Sequence, residues 1–270
     1  TSNSIVQGFR QLQIGNPDAK WESDINANVG FDAVFFNGML DITFDYYRKD
    51  IKDLLFNPNL PGTSGAARVP YVNAAQMKNS GFDISAGGHF DVGKDWKFDL
   101  TANFTTNKNE ILRVSDGIDY FDGQSRRFNG SSIIRNQVGH PVSSFYGYEI
   151  VGFWDSQEEI DAANLEAQKA TNNPDAEFQT DAAVGRFRYN DFGKGIVTPD
   201  SRTFLGNPVP DFTYGLNIGV SYKQFDLSAF FYGVSGNEIW NQVRWWTDFY
   251  PSFGGGLSKT AMYDSWRPDH

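Results

Sequence analysis

The sequence predicts an all-β protein, a fragment of about eight long strands from a transmembrane antiparallel β-barrel. Three observations favour this class: apolar and polar residues alternate over roughly 11–14 positions, tight turns join such segments in pairs, and long polar connections separate the pairs. Strands of globular proteins usually hold about 5–6 residues, whereas a strand that crosses a membrane needs about 9–11. Short turns at one end and long loops at the other are typical of membrane barrels.

Three predicted hairpins carry the alternation. The first turns at Asn37-Gly38, because a type I′ turn needs positive φ at both central residues. The second turns at Gly93-Lys94-Asp95 and the third at Lys223-Gln224. In each hairpin the apolar residues alternate with polar ones, so we expect the first set to face lipid and the second a polar lumen. The set expected to face lipid is Ile25, Val29, Phe31, Phe82, Ile84, Phe90, Phe98, Leu100, Phe212, Leu216, Ile218, Leu227 and Phe231.

The connections between the hairpins are predicted as long polar loops over 57–79 and 107–131. Residues 132–138 and 144–153 are predicted as one strand each, since loops on one side of a barrel must be separated by an even number of strands. This brings the expected total to about eight. Ser156-Gln157-Glu158-Glu159 matches a capping box, so a helix is predicted over 156–170, inside a loop and outside the membrane.

Composition excludes some classes of function. Asp and Glu number 33 against 23 Lys and Arg, a net charge of -10 that argues against nucleic-acid binding, which needs clustered cations. The absence of cysteine excludes disulfides and thiolate metal sites. Aromatic residues make up 16% of the chain, which fits either a β-rich core or two aromatic girdles at membrane interfaces. Composition does not choose between these two interpretations.

Catalytic chemistry is not indicated by any motif. His89, His140 and His270 lie far apart, and no metal-ligand spacing, phosphate loop or nucleophile elbow occurs. We therefore expect no catalytic residue, no metal and no cofactor, and predict that the chain is not an enzyme. A glycosidase with paired carboxylates stays a minor alternative, because acidic pairs arise by chance in so acidic a chain.

Several local motifs follow one another along nearly the whole chain. They are Asn16-Pro17-Asp18-Ala19-Lys20-Trp21-Glu22, Asp45-Tyr46-Tyr47-Arg48-Lys49, Pro61-Gly62-Thr63-Ser64-Gly65, Met77-Lys78-Asn79-Ser80-Gly81-Phe82, Gly139-His140-Pro141 with Phe145-Tyr146-Gly147-Tyr148, and Leu205-Gly206-Asn207-Pro208-Val209-Pro210-Asp211-Phe212-Thr213-Tyr214-Gly215. In this order they resemble the SusC-like TonB-dependent transporters of the outer membrane.

The resemblance implies a multi-pass outer-membrane barrel of 22 strands with an N-terminal plug. It also implies energy from the TonB complex and a SusD-like surface lipoprotein that covers the extracellular mouth. Residues 1–270 are then expected to be a C-terminal part of the barrel, without the plug and the final strands. One motif departs from the family: a calcium-like loop is reduced here to Asp191-Phe192-Gly193-Lys194-Gly195-Ile196, with too few carboxylates for a hard cation.

The predicted function is active import of an oligomeric nutrient, glycan or peptide. The alternative is a surface β-domain that binds glycan without transporting it. Rings at the mouth of a transporter can stack on sugars or peptide side chains, so the predicted substrate-binding residues are Trp245, Trp246, Tyr250, Phe230 and Tyr232. The alternative interpretation is that these rings pack against the lipoprotein or the plug, because aromatic residues also dominate protein interfaces.

Overall fold

The structure is a computed structural model that describes residues 12–56, 68, 70–115, 117–123, 132–248 and 256–268. It divides into two compact units, Thr1–Ser144 with Asn207–Glu238, and Phe145–Gly206 with Ile239–His270. The strands are β1 (Ser23–Phe35), β2 (Leu40–Phe56), β3 (Val72–Val92), β4 (Trp96–Thr106), β5 (Lys108–Arg113), β6 (Tyr120–Asp122), β7 (Ile134–Gln137), β8 (Ser144–Gly147), β9 (Ile150–Phe153), β10 (Phe187–Tyr189), β11 (Thr203–Gly206), β12 (Phe212–Tyr222) and β13 (Phe225–Ser235). The helices are α1 (Gln157–Thr171), α2 (Gln242–Asp248) and α3 (Lys259–Tyr263).

The first unit is built on one antiparallel sheet in the order β1-β2-β3-β4-β12-β13, with β5 beside β3. Its six long strands hold between 11 and 21 residues, as expected for strands that cross a membrane. All three predicted hairpins are confirmed. β4 and β12 are neighbours in the sheet although about a hundred residues separate them in the chain.

The tight turns are confirmed with one difference of detail. Asn37 and Gly38 both have positive φ, 57° and 91°, but the ladder closes at the pair Phe35–Leu40, so the connection has four residues rather than two. Phe36 also takes a positive φ, which lengthens the turn. The other two turns close at Val92–Trp96 and Tyr222–Phe225, as predicted.

The predicted long loops are partly wrong. β2 and β3 continue as a pair to Phe56 and Val72, and β5 and β6 lie within the range 107–131. These extensions share a small core of Phe56, Ala75, Ile111 and Val114, which stabilises strand where the sequence is mostly polar. Residues 57–67 of the first predicted loop lie outside the described residues.

The prediction of about eight long strands is also wrong for the described residues, which hold six. The segment 132–138 gives only the four-residue β7, which pairs with β6. The segment 144–153 divides into β8, paired with β11, and β9, paired with β10. Four residues are too short to cross a membrane. The parity argument failed because these strands find partners in loop segments whose own strands the sequence pattern did not reveal.

The second unit carries the predicted helix. α1 begins after Ser156, whose Oγ accepts a 3.2 Å hydrogen bond from the amide of Glu159. It ends at Asn172 in the left-handed conformation, φ 50°. The helix packs through Ile160 and Ala167 on a core that includes Trp154, Ala176 and Phe178. None of the helices in the described ranges is long and apolar enough to span a membrane.

Candidate functional site

The main sheet has one apolar and one polar face, because side chains alternate and paired residues point to the same side. One row of paired residues holds Phe31, Phe44, Ile84, Phe104 and Tyr214. Following the rows across the sheet, all thirteen residues predicted to face lipid share this face. The predicted alternation is therefore confirmed in register as well as in sequence.

Aromatic rings form two belts on the apolar face. The loop-end belt, named for the end away from the tight turns, runs through Phe31, Phe44, Phe82, Phe104 and Phe212, with successive ring centroids 5.7, 6.3, 6.1 and 5.3 Å apart. The turn-end belt runs through Phe90, Phe98, Trp96 and Tyr222, at 5.2, 6.0 and 4.4 Å. These rings lie on an exposed face and not in a buried aromatic core, as the girdle interpretation expects.

The spacing of the belts is widest on β12, where it matches the apolar band of a bilayer. On β12 they are marked by Phe212 and Tyr222, the first and last of its 11 residues. At about 3.3 Å per residue and a strand tilt of about 40°, the two rings differ in height by about 25 Å, the height of the apolar band of membrane barrels. Between the belts lie smaller aliphatic residues, among them Ala86, Ala102 and Leu216. Val29 and Leu227 are 74% and 68% exposed, so in the described residues no layer covers this face.

The opposite face is polar and bridged across its strands. His89 lies between two carboxylates, with Nδ1 2.8 Å from Asp99 and Nε2 3.1 Å from Asp41, so this group joins β2, β3 and β4. Two of the predicted substrate residues, Phe230 and Tyr232, lie on this face, opposite Asn217 and Gly215. These two residues are 65% and 64% exposed.

The hydrogen-bonded ladder with β3 is interrupted at the end of β4. β4 and β5 share one register against β3, with Thr105 opposite Asp83 and Lys108 opposite Ser80, but the ladder is broken between them. There the carbonyl oxygen of Thr106 turns towards Gly81, and the Tyr47 hydroxyl donates to it at 2.9 Å. A Cβ on Gly81 would lie 2.0 Å from that oxygen, so only glycine fits. The Phe82 amide donates instead to Thr106 Oγ1 at 3.0 Å.

Three family-like motifs meet beside this break. The buried Asn109 donates from Nδ2 to Asn79 Oδ1 at 2.6 Å, and its Oδ1 accepts from the Val142 amide at 2.7 Å. The Asn107 amide donates to the carbonyl of Asp211 at 3.3 Å. A cavity of about 380 Å³ opens here, lined by Ser80, Thr106, Lys108, Asn207 and Asp211 among others. Sequence analysis missed residues 107–110, whose run of Asn and charged residues was interpreted as a loop.

An aromatic cleft of about 600 Å³ lies in the second unit. Of the predicted residues it contains Trp245, and Trp246 packs edge-on against that ring at 4.7 Å and 84°. Tyr250 lies outside the described residues. The cleft is lined by the rings of Phe153, Phe187, Trp240, Trp245 and Trp266, with Arg244 and Asp248 among its polar side chains.

Fixed contacts hold the cleft in shape. Asp248 accepts from Arg244 Nε at 2.8 Å, from Thr247 Oγ1 at 3.0 Å and from Ser258 Oγ at 2.5 Å, which ties α2 to the start of α3. The hydrogen bonds from Ser258 and Arg244 lower the pKa of Asp248 below its ordinary value. The Trp266 indole donates to Asp155 Oδ1 at 2.8 Å.

Trp266 was not singled out by sequence analysis. Its ring lies on Gly185, where a Cβ would come within 2.7 Å of the indole, and Gly185 has a φ of 84°. A glycine at positive φ marks such a close approach, but the sequence does not say which distant side chain fills the space.

The reduced calcium-like loop forms a turn closed by its own groups. Asp191 Oδ2 accepts from the Gly195 amide at 2.7 Å, and Lys194 Nζ donates to the Asp200 carbonyl at 2.8 Å. Within the described part of the chain, no cluster of three or more His, Cys, Asp or Glu residues is arranged to hold a metal ion.

An antiparallel sheet of long strands, with one apolar face that carries two aromatic belts and one polar face, is the architecture of a wall segment of a membrane β-barrel. Residues 1–126 match the family model described as "TonB dependent receptor-like, beta-barrel". The predicted resemblance to the TonB-dependent receptors, and to their SusC-like members, is confirmed.

Named relatives agree. The chain is 30% identical to TonB-dependent receptor P26 of Formosa agariphila, over 100% of this chain and 26% of the relative. It is 27% identical to TonB-dependent receptor SusC of Bacteroides thetaiotaomicron, over 79% of this chain and 19% of the relative. It is similar to the RagAB peptide importer in the open-open state, with a TM-score of 0.69 and 26% identity, over 95% of this chain and 24% of that one. The chain thus spans about a quarter of the relatives it matches.

Proposed function

We propose that this chain forms part of the wall, towards the C-terminal end, of an outer-membrane transporter that imports an oligomeric nutrient, glycan or peptide. Energy would come from the TonB complex, through a region of the whole protein outside this chain. A SusD-like surface lipoprotein would cover the extracellular mouth. The names of SusC and of the RagAB peptide importer among the similar proteins support this proposal.

The observation that carries the proposal is the pair of aromatic belts on an apolar face. Rings such as Trp96 and Tyr222 prefer the headgroup depth of a bilayer, and the residues between the belts suit its hydrocarbon core. A glycan-binding domain in water would cover so large an apolar face instead of exposing it. The polar face, with its Asp, Asn and Thr side chains, then lines the path of the nutrient.

Substrate contact is proposed for two groups of rings. Trp245, Trp246 and Tyr250 belong to one stretch of chain, and Trp245 lines the aromatic cleft. Phe230 and Tyr232 are exposed on the polar face of the sheet. A cleft of several hundred Å³ lined by rings and a few polar groups is a usual ligand site, because flat rings stack on sugars and on peptide side chains.

The test replaces Trp245 and Trp246 by Ala in the whole protein and measures two quantities. One is uptake of a labelled oligosaccharide or oligopeptide pool, and the other is co-purification of the surface lipoprotein. Loss of uptake with the lipoprotein retained supports substrate contact. Loss of the lipoprotein assigns the rings to an interface. Unchanged uptake and unchanged lipoprotein binding contradict both roles. Val243→Ala, in the same helix, is a matched control outside the cleft lining.

A further inference from the structure

The apolar face ends in a charged border just beyond the loop-end belt. Arg48, Ser80 and Lys108 form one row across β2, β3 and β5, two positions beyond Tyr46 and Phe82. Asp50, Lys78 and Glu110 form the next row. Because every second residue of a strand points to the same side, these side chains continue the apolar face.

The border is cationic on balance. Its outward-facing charges are Arg48, Lys52, Lys78 and Lys108 against Asp50 and Glu110, four cations and two anions in a chain of net charge -10. Arg48 is bound to Asp50 at 2.8 Å, and Lys78 to Glu110 at 3.1 Å. Lys108 is exposed and makes no ion pair with any described residue. Of the four cations, Lys52 and Lys108 make no ion pair with a described residue, and Lys108 is the one of these two that lines the neighbouring cavity.

The cavity of about 380 Å³ opens at this row and is lined by Ser80, Thr106 and Lys108. Neighbouring strands lie about 4.8 Å apart, so Arg48 and Lys108 flank Ser80 with their backbones about 10 Å from each other. Two acids also line the cavity. Glu110 forms an ion pair with Lys78. The carboxylate of Asp211 lies so close to Gly236 that a Cβ on that glycine would be 2.3 Å from Asp211 Oδ2.

The geometry points to a binding site for the phosphate headgroup of an anionic lipid, in the leaflet next to the loop-end belt. Lys108 and Ser80 hold the phosphate, and Arg48 stands at the other end of the row. The acyl chains lie along the apolar face below, which makes a lipid the occupant and not a free phosphate. This inference rests on the proposed membrane location.

The experiment uses the whole protein in a neutral detergent and titrates phosphatidylglycerol or phosphatidylcholine, counting bound lipid by native mass spectrometry. We expect a preference for phosphatidylglycerol. Lys108→Gln should weaken its binding about fivefold, the effect of one basic residue near an anionic lipid. Lys108→Arg should retain it. Lys49→Gln is the matched control, because Lys49 lies on the polar face with Nζ 2.7 Å from Asp24.

The headgroup site is contradicted if Lys108→Gln and Lys49→Gln weaken phosphatidylglycerol binding equally. It is also contradicted if the unmodified protein binds the two lipids equally. Displacement of phosphatidylglycerol by the same concentration of inorganic phosphate overturns the lipid as occupant. A nitroxide at Leu216 reports membrane location separately, through its accessibility to lipid-soluble oxygen. If oxygen accessibility at Leu216 is high but the protein shows no lipid preference, only the headgroup site is contradicted. If oxygen accessibility is low, both the membrane location and the headgroup site are contradicted.

Discussion

The hydroxyl of Tyr47 reaches over Gly81 to the carbonyl oxygen of Thr106, two strands away, at 2.9 Å. This carbonyl has left the strand ladder, so the tyrosine supplies the donor that the neighbouring strand does not. Tyr47→Phe keeps the ring and removes that donor. We expect a loss of about 1–3 kcal/mol in the free energy of unfolding, the cost of a part-buried carbonyl without a partner.

The measurement for Tyr47→Phe is the thermal unfolding of the whole protein in detergent. Tyr46→Phe is the control, since Tyr46 lies on the opposite face and is 48% exposed. Equal stability of the two variants would contradict a structural role for this hydrogen bond.

Gly81→Ala should destabilise the same break between β4 and β5 by overpacking. The new Cβ meets the Thr106 oxygen at 2.0 Å, and a backbone atom cannot swing away as a flexible side chain can. Overpacking of this kind costs about 1–3 kcal/mol or more. Gly88→Ala in the same strand is the control, because its nearest neighbour atom would be 3.9 Å away. The yield of folded protein in the membrane fraction measures both, and equal yields would show that the strand break tolerates a side chain.

Leu216→Arg places a charge midway between the aromatic belts, beside Ala102 and Phe231. We expect it to cost about 2–4 kcal/mol in the free energy of folding into a bilayer. Asn217→Arg, on the polar face, should cost much less. Folding of both variants into phosphatidylcholine vesicles under urea is the measurement. A greater cost for Asn217→Arg would reverse the assignment of the two faces.

The turn-end aromatics should lie at one depth in the membrane. Trp96, Tyr222 and Phe225 share a row, whereas the row of Phe35 crosses β4 at Leu100. Strands in barrels are tilted, so rows slope relative to the membrane and these positions can still align. Nitroxides at positions 35, 36, 96, 222 and 225 should give similar depths. A spread of more than half of the roughly 25 Å apolar band would exclude a girdle there.

Acid should weaken the hydrogen bonds of Asp248 that connect α2 to the start of α3. Hydrogen bonds from Ser258 and Arg244 lower the pKa of Asp248 in the folded state, so their stabilising effect is complete above its ordinary pKa near 4 and is lost as the pH falls through the lowered value. Hydrogen exchange of residues 242–248, corrected for intrinsic rates, should show constant protection from neutral pH down to about pH 4 and lower protection below.

Asp248→Asn should show the loosened state at neutral pH, as several-fold faster exchange in the same residues. Glu158→Gln at the solvent-exposed start of α1 is the control. Unchanged exchange in the Asp248 variant would mean that the carboxylate does not hold the two helices together.

The hairpins could be predicted because alternation and turn chemistry are local. Phe82, Ile84 and Phe90 sit on one face whatever their partners, and Gly93 allows a positive φ of 68° by itself. The short strands could not be predicted in the same way. β8 holds only four residues, and its partner β11 comes more than fifty residues later in the chain.

The site was predictable only in part for the same reason. Adjacent tryptophans at 245 and 246 are visible in the sequence, but the cleft around Trp245 needs rings from positions 153, 187 and 266. The bridge from Asn109 to Asn79 and Val142 likewise joins three stretches of chain that only the fold brings together.

The meeting of Asn107 and Asp211 bears on how such proteins diversify. The chain leaves β4 at Asn107 and re-enters β12 beside it, where the Asn107 amide and the Asp211 carbonyl are 3.3 Å apart. Between these two residues β5 still pairs with β3 in the main sheet, whereas the later strands of the segment belong to other sheets. The ladder between β4 and β12 uses no residue from 114 to 210, so a change of length in that stretch would leave these two strands in register, whereas a change within β5 would break its pairing with β3.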